Sequence, residues 1–260
     1  MKTTELTAWL NEKYPLTAAE DWDNVGLLVG DDRGEVAHVF LALDLTEEVL
    51  DEAIQAGADM IVTHHPMIFS GMKKINNHNF IGRKILKLIQ KNMVYYAMHT
   101  NYDVLGMAQL SASYLNLQDT KVLSVTAEQD GEVQGFGRVG RLPEKMSLKA
   151  FAGYVKEALK LNDVKVYGDL SQEVECVAVC TGSGKSMIRE AMRMGAQVYV
   201  TGDIDHHTGI DTVAEGLALV DAGHYGTEYI FMEAVKKELL QAFPELKVSC
   251  AEVKSPYTIL

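Results

Sequence analysis

Short apolar runs punctuate the first half of the chain at Val36–Leu43, Met60–Thr63 and Met93–Met98, rich in Val, Ile, Leu and aromatic residues with little alternation. Continuous apolarity over so few residues is the pattern of strands buried on both faces of a parallel sheet. Helical patterns lie between them. Thr46–Ala56 starts on a capping-type Thr with Glu47 and Glu48 in its first turn, and Phe80–Lys91 sets Ile81, Ile85, Leu88 and Ile89 on one face. Strands alternating with helices predict a parallel α/β layer structure.

The second half repeats this order, with strands at Val174–Cys180, Gln197–Thr201 and Leu217–Asp221 and a helix from about Lys185 to Met194. Residue identities repeat as well. Glu52-Ala53, Gly57-Ala58 and Val62-Thr63 are matched by Glu190-Ala191, Gly195-Ala196 and Val200-Thr201 at a constant offset of 138, and His99-x-x-x-Asp103 corresponds to His224-x-x-x-Glu228. Two Gly-capped helix-to-strand joints can also agree by chance. Taken as a repeat, the match predicts an α/β fold of two related lobes, each a largely parallel sheet flanked by helices. The alternating stretch Lys121–Leu142, with a hairpin signal at Asp130-Gly131, would link them. The expected division is an N-terminal lobe at 1–120 and the hairpin with a C-terminal lobe at 121–260.

Composition removes several classes of function. With 260 residues of which 47% are hydrophobic, the chain can bury a sizeable core without disulfides. Its 24 basic and 36 acidic side chains give a net charge of −12, opposite to what a nucleic-acid or anionic-membrane partner needs. No apolar run reaches the roughly 18 residues of a membrane span. Cys176, Cys180 and Cys250 show no C-x-x-C spacing, and Met1–Leu6 has no signal-like apolar core. A cytoplasmic protein is the expectation.

Two motifs that resemble phosphate loops fail on detail. Gly182-Ser183-Gly184-Lys185-Ser186 ends like a P-loop but carries Val179 where the pattern needs Gly, although a Gly/Ser turn before a helix can still hold an anion. Gly135-Phe136-Gly137-Arg138-Val139-Gly140 runs into Arg141-Leu142-Pro143 instead of opening a helix.

The histidines carry more. Thr63-His64-His65-Pro66 closes a buried strand at the end where open α/β sheets place ligands. Both imidazoles can serve one site only if the chain leaves strand geometry there, which Pro66 favours; a surface turn is the alternative for this pair alone. His99 with Asp103, and His224 with Glu228, follow two other strands at the i,i+4 spacing of one helical face. Imidazoles mixed with carboxylates suit Zn, Mn, Fe or Ni, and they outnumber the ligands of one tetrahedral ion, so two metals sharing a carboxylate fit the set.

The motifs Asp21-Trp22-Asp23-Asn24-Val25-Gly26-Leu27, Thr63-His64-His65-Pro66, His99-Thr100-Asn101-Tyr102-Asp103, Thr201-Gly202-Asp203 and Gly223-His224-x-x-x-Glu228 resemble the Nif-three-like dinuclear metal family, whose members often bear the name GTP cyclohydrolase 1 type 2 homologue. The resemblance implies metal ligands at His64, His65, Asp103, His224 and Glu228, in a site between the two lobes. It implies two divalent ions and a ring-shaped homohexamer. It also implies hydrolytic opening of the GTP imidazole ring with release of formate. Longer members carry a domain inserted between the lobes, for which Lys121–Leu142 leaves no room. His99 would either support Asp103 or move a proton. Asp203, His206 and His207 are candidates to line the pocket or to form a polar loop. Trp22 and Asp23 are candidates for a pocket wall, with plain packing the alternative for Trp22. His38 reads as a core or edge residue and His78 as a surface residue at a helix start. The competing functions are a different dinuclear hydrolase, acting on a phosphoester or amide, and a non-catalytic metal-binding scaffold.

Overall fold

The structure is a computed structural model that describes residues 1–129 and 131–259, with the backbone alone for Ala127 and Gln129. Its strands in the first half are β1 (Gly26–Val29), β2 (His38–Ala42), β3 (Met60–Thr63), β4 (Val94–Ala97) and β5 (Gln118–Gln129). There follow β6 (Glu132–Ser147), β7 (Lys165–Tyr167), β8 (Glu173–Val179), β9 (Val198–Thr201), β10 (Ala218–Asp221) and β11 (Lys247–Cys250). The chain divides into two compact units, one of Met1–Tyr102 with Phe231–Lys254 and one of Asp103–Ile230 with Ser255–Leu260.

The first unit holds a five-stranded sheet in the order β1-β4-β3-β2-β11. Four of these strands run parallel and β1 pairs antiparallel with β4. Every position of β2, β3 and β4 is buried, the burial that their unbroken apolar runs predict. The helices are stopped and started by local chemistry. The Thr46 hydroxyl accepts the Val49 N–H (3.1 Å) to open Glu47–Ala56, and Asn79 accepts the Gly82 N–H (2.7 Å) to open Phe80–Gln90.

The second unit holds a six-stranded sheet, β5-β6-β8-β9-β10-β7. Its parallel centre is β8-β9-β10, while β5, β6 and β7 are joined antiparallel. The hairpin β5–β6 is thus part of the sheet, with β6 paired to β8; Asp130, half of its turn signal, lies outside the described residues. Leu123, Ala178, Tyr199, Leu217 and Leu219 pack into one buried cluster here. Where the sequence predicts one helix from about Lys185, a 3-10 turn at Gly184–Met187 leads into the α-helix Ile188–Arg193. Among the described residues, no helix is long and apolar enough to cross a membrane.

The sequence repeat is also a repeat of hydrogen bonds. Ala58 N–H donates to the Ala53 carbonyl and Ala196 N–H to that of Ala191, both at 3.0 Å. Asp59 N–H reaches the His38 carbonyl and Gln197 N–H that of Cys176, both at 2.9 Å. All four pairs keep the offset of 138. The helices before these joints are followed by Gly57 (φ 71°) and Gly195 (φ 78°), left-handed positions that Gly adopts without strain.

Candidate metal centre

Within the first unit, β3 ends at Thr63 and the chain bends at His64 and His65. The Thr63 hydroxyl donates to the His65 carbonyl (2.7 Å) and lies 2.7 Å from the Tyr95 hydroxyl, which accepts the Met67 N–H (2.8 Å). These side chains from β3 and β4 fold the backbone over, so that adjacent residues no longer point to opposite faces. The two imidazole centroids are 5.0 Å apart, and His99, just past β4, stands 5.2 Å from His64 and 5.4 Å from His65. One ring nitrogen from each of the three lies within 4.8 Å of the others, close enough to hold a metal ion.

The tautomers follow from the partners of Nδ1. His64 Nδ1 is 2.9 Å from the Met98 carbonyl, His65 Nδ1 is 2.8 Å from Asp44 Oδ1, and His99 Nδ1 is 2.9 Å from Asp23 Oδ1. A carbonyl or carboxylate only accepts, so Nδ1 carries the proton in each case and Nε2 keeps the lone pair a metal needs. Asp23 is buried, and it also accepts the Thr100 N–H (3.0 Å) and hydroxyl (2.6 Å). Burial alone would raise its pKa, but the bonds from His99 and Thr100 outweigh it and bring the value down to about 2.

In the second unit, His224 opens the short helix His224–Glu228 directly after the β10 end. Its Nδ1 lies 2.7 Å from Asp203 Oδ2, repeating the pattern of the other three imidazoles, and its Nε2 lies 3.0 Å from Glu228 Oε2. Burial opposes charging of this ring, yet the hydrogen bonds and charges of Glu228 and Asp203 raise its pKa to about 9. A like-charged cation would displace that proton, since Nε2 and the carboxylate are both ligand atoms. Asp103 begins a π-helical turn, Asp103–Met107, an irregularity common at functional sites. Cys180 is buried and feels the charges of Asp103 and Glu228; burial first, then Asp103, pushes its thiol up to about 12.

Sequence reasoning named His64, His65, His99, Asp103, His224 and Glu228 and left Asp203 and Asp23 open as pocket residues. The structure makes Asp203 and Asp23 the Nδ1 partners of His224 and His99. Asp44 is the residue missed. Its signal was its place one residue beyond the predicted strand Val36–Leu43, at the same sheet end as the histidines. His206 and His207 stand exposed in the first turn of the helix His206–Ala214, which Asp205 caps. His38 is buried in β2 with Nε2 2.7 Å from Ser249 Oγ, and His78 is exposed just ahead of the cap Asn79. Gly135, Gly137 and Gly140 all lie inside β6, away from any helix start.

The donor chemistry therefore fits divalent metals, with imidazoles of fixed tautomer in one unit and an imidazole–carboxylate pair in the other. Two helix-flanked sheets bearing these groups at their strand ends define a mixed α/β protein with candidate metal-binding clusters. The chain belongs to the Duf34/NIF3 (NGG1p interacting factor 3) family, whose profile matches residues 1–256. It is 34% identical over 251 residues to a Clostridium acetobutylicum protein named GTP cyclohydrolase 1 type 2 homolog, covering 96% of this chain and 93% of that one. A Clostridium perfringens protein of the same name is 32% identical over 265 residues, with full coverage of both, 100% and 100%. Among solved structures, a hypothetical protein of Staphylococcus aureus is 31% identical and superposes with a TM-score of 0.92, covering 100% of this chain and 99% of its own.

Proposed function

We propose that the protein is a metal-dependent hydrolase whose ligands are His64, His65, Asp103, His224 and Glu228, holding two divalent ions drawn from Zn, Mn, Fe and Ni. The observation that carries this reading is the common Nδ1 anchoring of His64, His65, His99 and His224, which leaves Nε2 lone pairs on the first three and would leave one on His224 once a metal displaced the proton it shares with Glu228. Divalent ions bound there would supply Lewis acidity, bringing the pKa of water toward neutrality and polarising the bond it attacks. His99, anchored on Asp23 through Nδ1, would take and return a proton through Nε2. The names of the relatives carry GTP, and the reaction this reading assigns is hydrolytic opening of its purine imidazole ring at C8 with release of formate. The three free thiols accord with a cytoplasmic home. A ring-shaped homohexamer belongs to the same reading, and a monomer mass in sedimentation would remove it.

The direct experiment is formate release from GTP by purified protein, with and without Zn or Mn. Metal-dependent formate is expected. In H65A, metal content and turnover should fall together; turnover unchanged by that substitution removes the hydrolase reading. A fully metallated wild type that yields no formate removes GTP and leaves phosphoesters and amides to be assayed.

A further inference from the structure

Two large aromatic side chains stand in the open beside the imidazole cluster. Trp22 is 60% exposed and Phe69 is 53% exposed, and both touch His99, with ring centroids at 5.9 Å in each case and interplanar angles of 75° and 86°. Neither sits on a loosely held loop. Next to Trp22, Asp23 is bonded to His99 and Thr100, and the Asn24 amide donates to the Ile68 carbonyl (2.6 Å), tying the Trp22 loop to the one that carries Phe69. The Phe69 loop is also fixed at Met67 by the Tyr95 hydroxyl. The backbone is thus pinned at several points while the aromatic surfaces are left uncovered.

We propose that Trp22 and Phe69 form a stacking subsite that takes the planar heteroaromatic ring of a small ligand and sets its edge toward His99. This deepens the hydrolase reading and rests on it for the fate of the ligand, though not for its binding. Aromatic faces bind planar rings of any base through stacking, and His99, anchored through Nδ1 on Asp23, provides in its Nε2 the polar group that a heteroaromatic edge requires. The size of the patch favours a small molecule over a protein. Two such side chains, a little more than half exposed, offer roughly 250 Å², against the roughly 800 Å² each partner gives to a stable protein interface.

Trp22 is one of two tryptophans, and the other, Trp9, packs edge-on against Phe243 at 5.5 Å, so Trp22 emission reports the subsite. Metal-loaded protein is titrated with guanosine and, separately, with ribose 5-phosphate, while bound metal is measured on the same samples. Saturable quenching by guanosine alone is expected. W22F should lose the signal. F69A should raise the guanosine Kd about tenfold with metal content unchanged. No quenching, equal quenching by ribose 5-phosphate, or an unchanged Kd in F69A overturns the subsite. A smaller sedimenting species in W22A or F69A also overturns it, because the patch would then be a contact between copies of this chain. Quenching that persists in H65A after metal is lost supports the subsite, and a wild type that binds guanosine but no metal upholds it while removing the hydrolase reading.

Discussion

Gly182 lies directly against the carboxylate of Glu228, so that a Cβ at position 182 would overlap Glu228 Oε1 and stand 3.4 Å from His224 Nε2. Gly182 also has a left-handed φ of 62°, and its N–H donates to the Thr227 hydroxyl (2.9 Å). A methyl group there must push the carboxylate aside. Gly182→Ala is expected to lower bound metal at least tenfold and to cost about 1–2 kcal/mol through the left-handed backbone alone. Metal analysis after gel filtration and urea unfolding check the two effects separately. Full metal content in the variant would show that Glu228 does not need this space.

Asp44 sets the tautomer of His65 from a half-exposed position, its side chain being 51% accessible. Removing a carboxylate behind a metal-binding imidazole typically costs about 10–100-fold in metal affinity, and water can partly replace an exposed one. Asp44→Ala should therefore fall near the low end, about tenfold weaker in a competition titration with a chelator. Asp44→Asn should stay closer to wild type, because its amide oxygen still accepts from Nδ1. Equal losses in both variants would mean that charge, and not orientation, is what Asp44 contributes.

How much of this was legible beforehand depends on what each element buries. β2, β3 and β4 are buried throughout, and their apolar runs mark them plainly. β7 and β11 are half-exposed edge strands of three and four residues, too short and too mixed to show a period. The return of Phe231–Lys254 to the first unit had no local signal, because it is decided by β11 pairing with β2. The site followed the same division. His64, His65, His99 and His224 sit where a rule about strand ends points. Asp44 needed the fold, because its role is a hydrogen bond to a residue 21 positions away.

Asp221 holds the strand end from which His224 projects. Its buried carboxylate accepts the Gly223 N–H (3.0 Å) and the Ile204 N–H (3.3 Å), and pairs with Lys165 Nζ at 2.7 Å. Asp221→Ala would leave two backbone donors and a cation without their acceptor, and about 3 kcal/mol of stability should be lost. Lys165→Met removes a cation that is itself largely exposed, so its cost should stay near 1 kcal/mol. Urea midpoints of the metal-free proteins test this order. A reversal would mean that the ion pair outweighs the two backbone bonds.

Asp23 should leave a measurable mark on acid stability. Its carboxyl titrates at about 2 in the folded protein against an ordinary value of 3.8, because His99 and Thr100 bond the charged form. A carboxyl whose folded pKa is depressed stabilises the fold above its unfolded pKa, and that contribution disappears as pH falls through the folded value. The window is therefore about pH 4 down to pH 2, and the size is about 2 kcal/mol at 1.36 kcal/mol per unit. Metal-free wild type and Asp23→Asn should differ by about that amount at pH 6, with the wild type more stable. The gap should close between pH 4 and pH 2 as the wild-type carboxylate takes up its proton. Unfolding by urea at half-unit intervals measures both curves, and a gap that stays constant to pH 2 would show that the Asp23 charge adds nothing beyond its hydrogen-bonding shape.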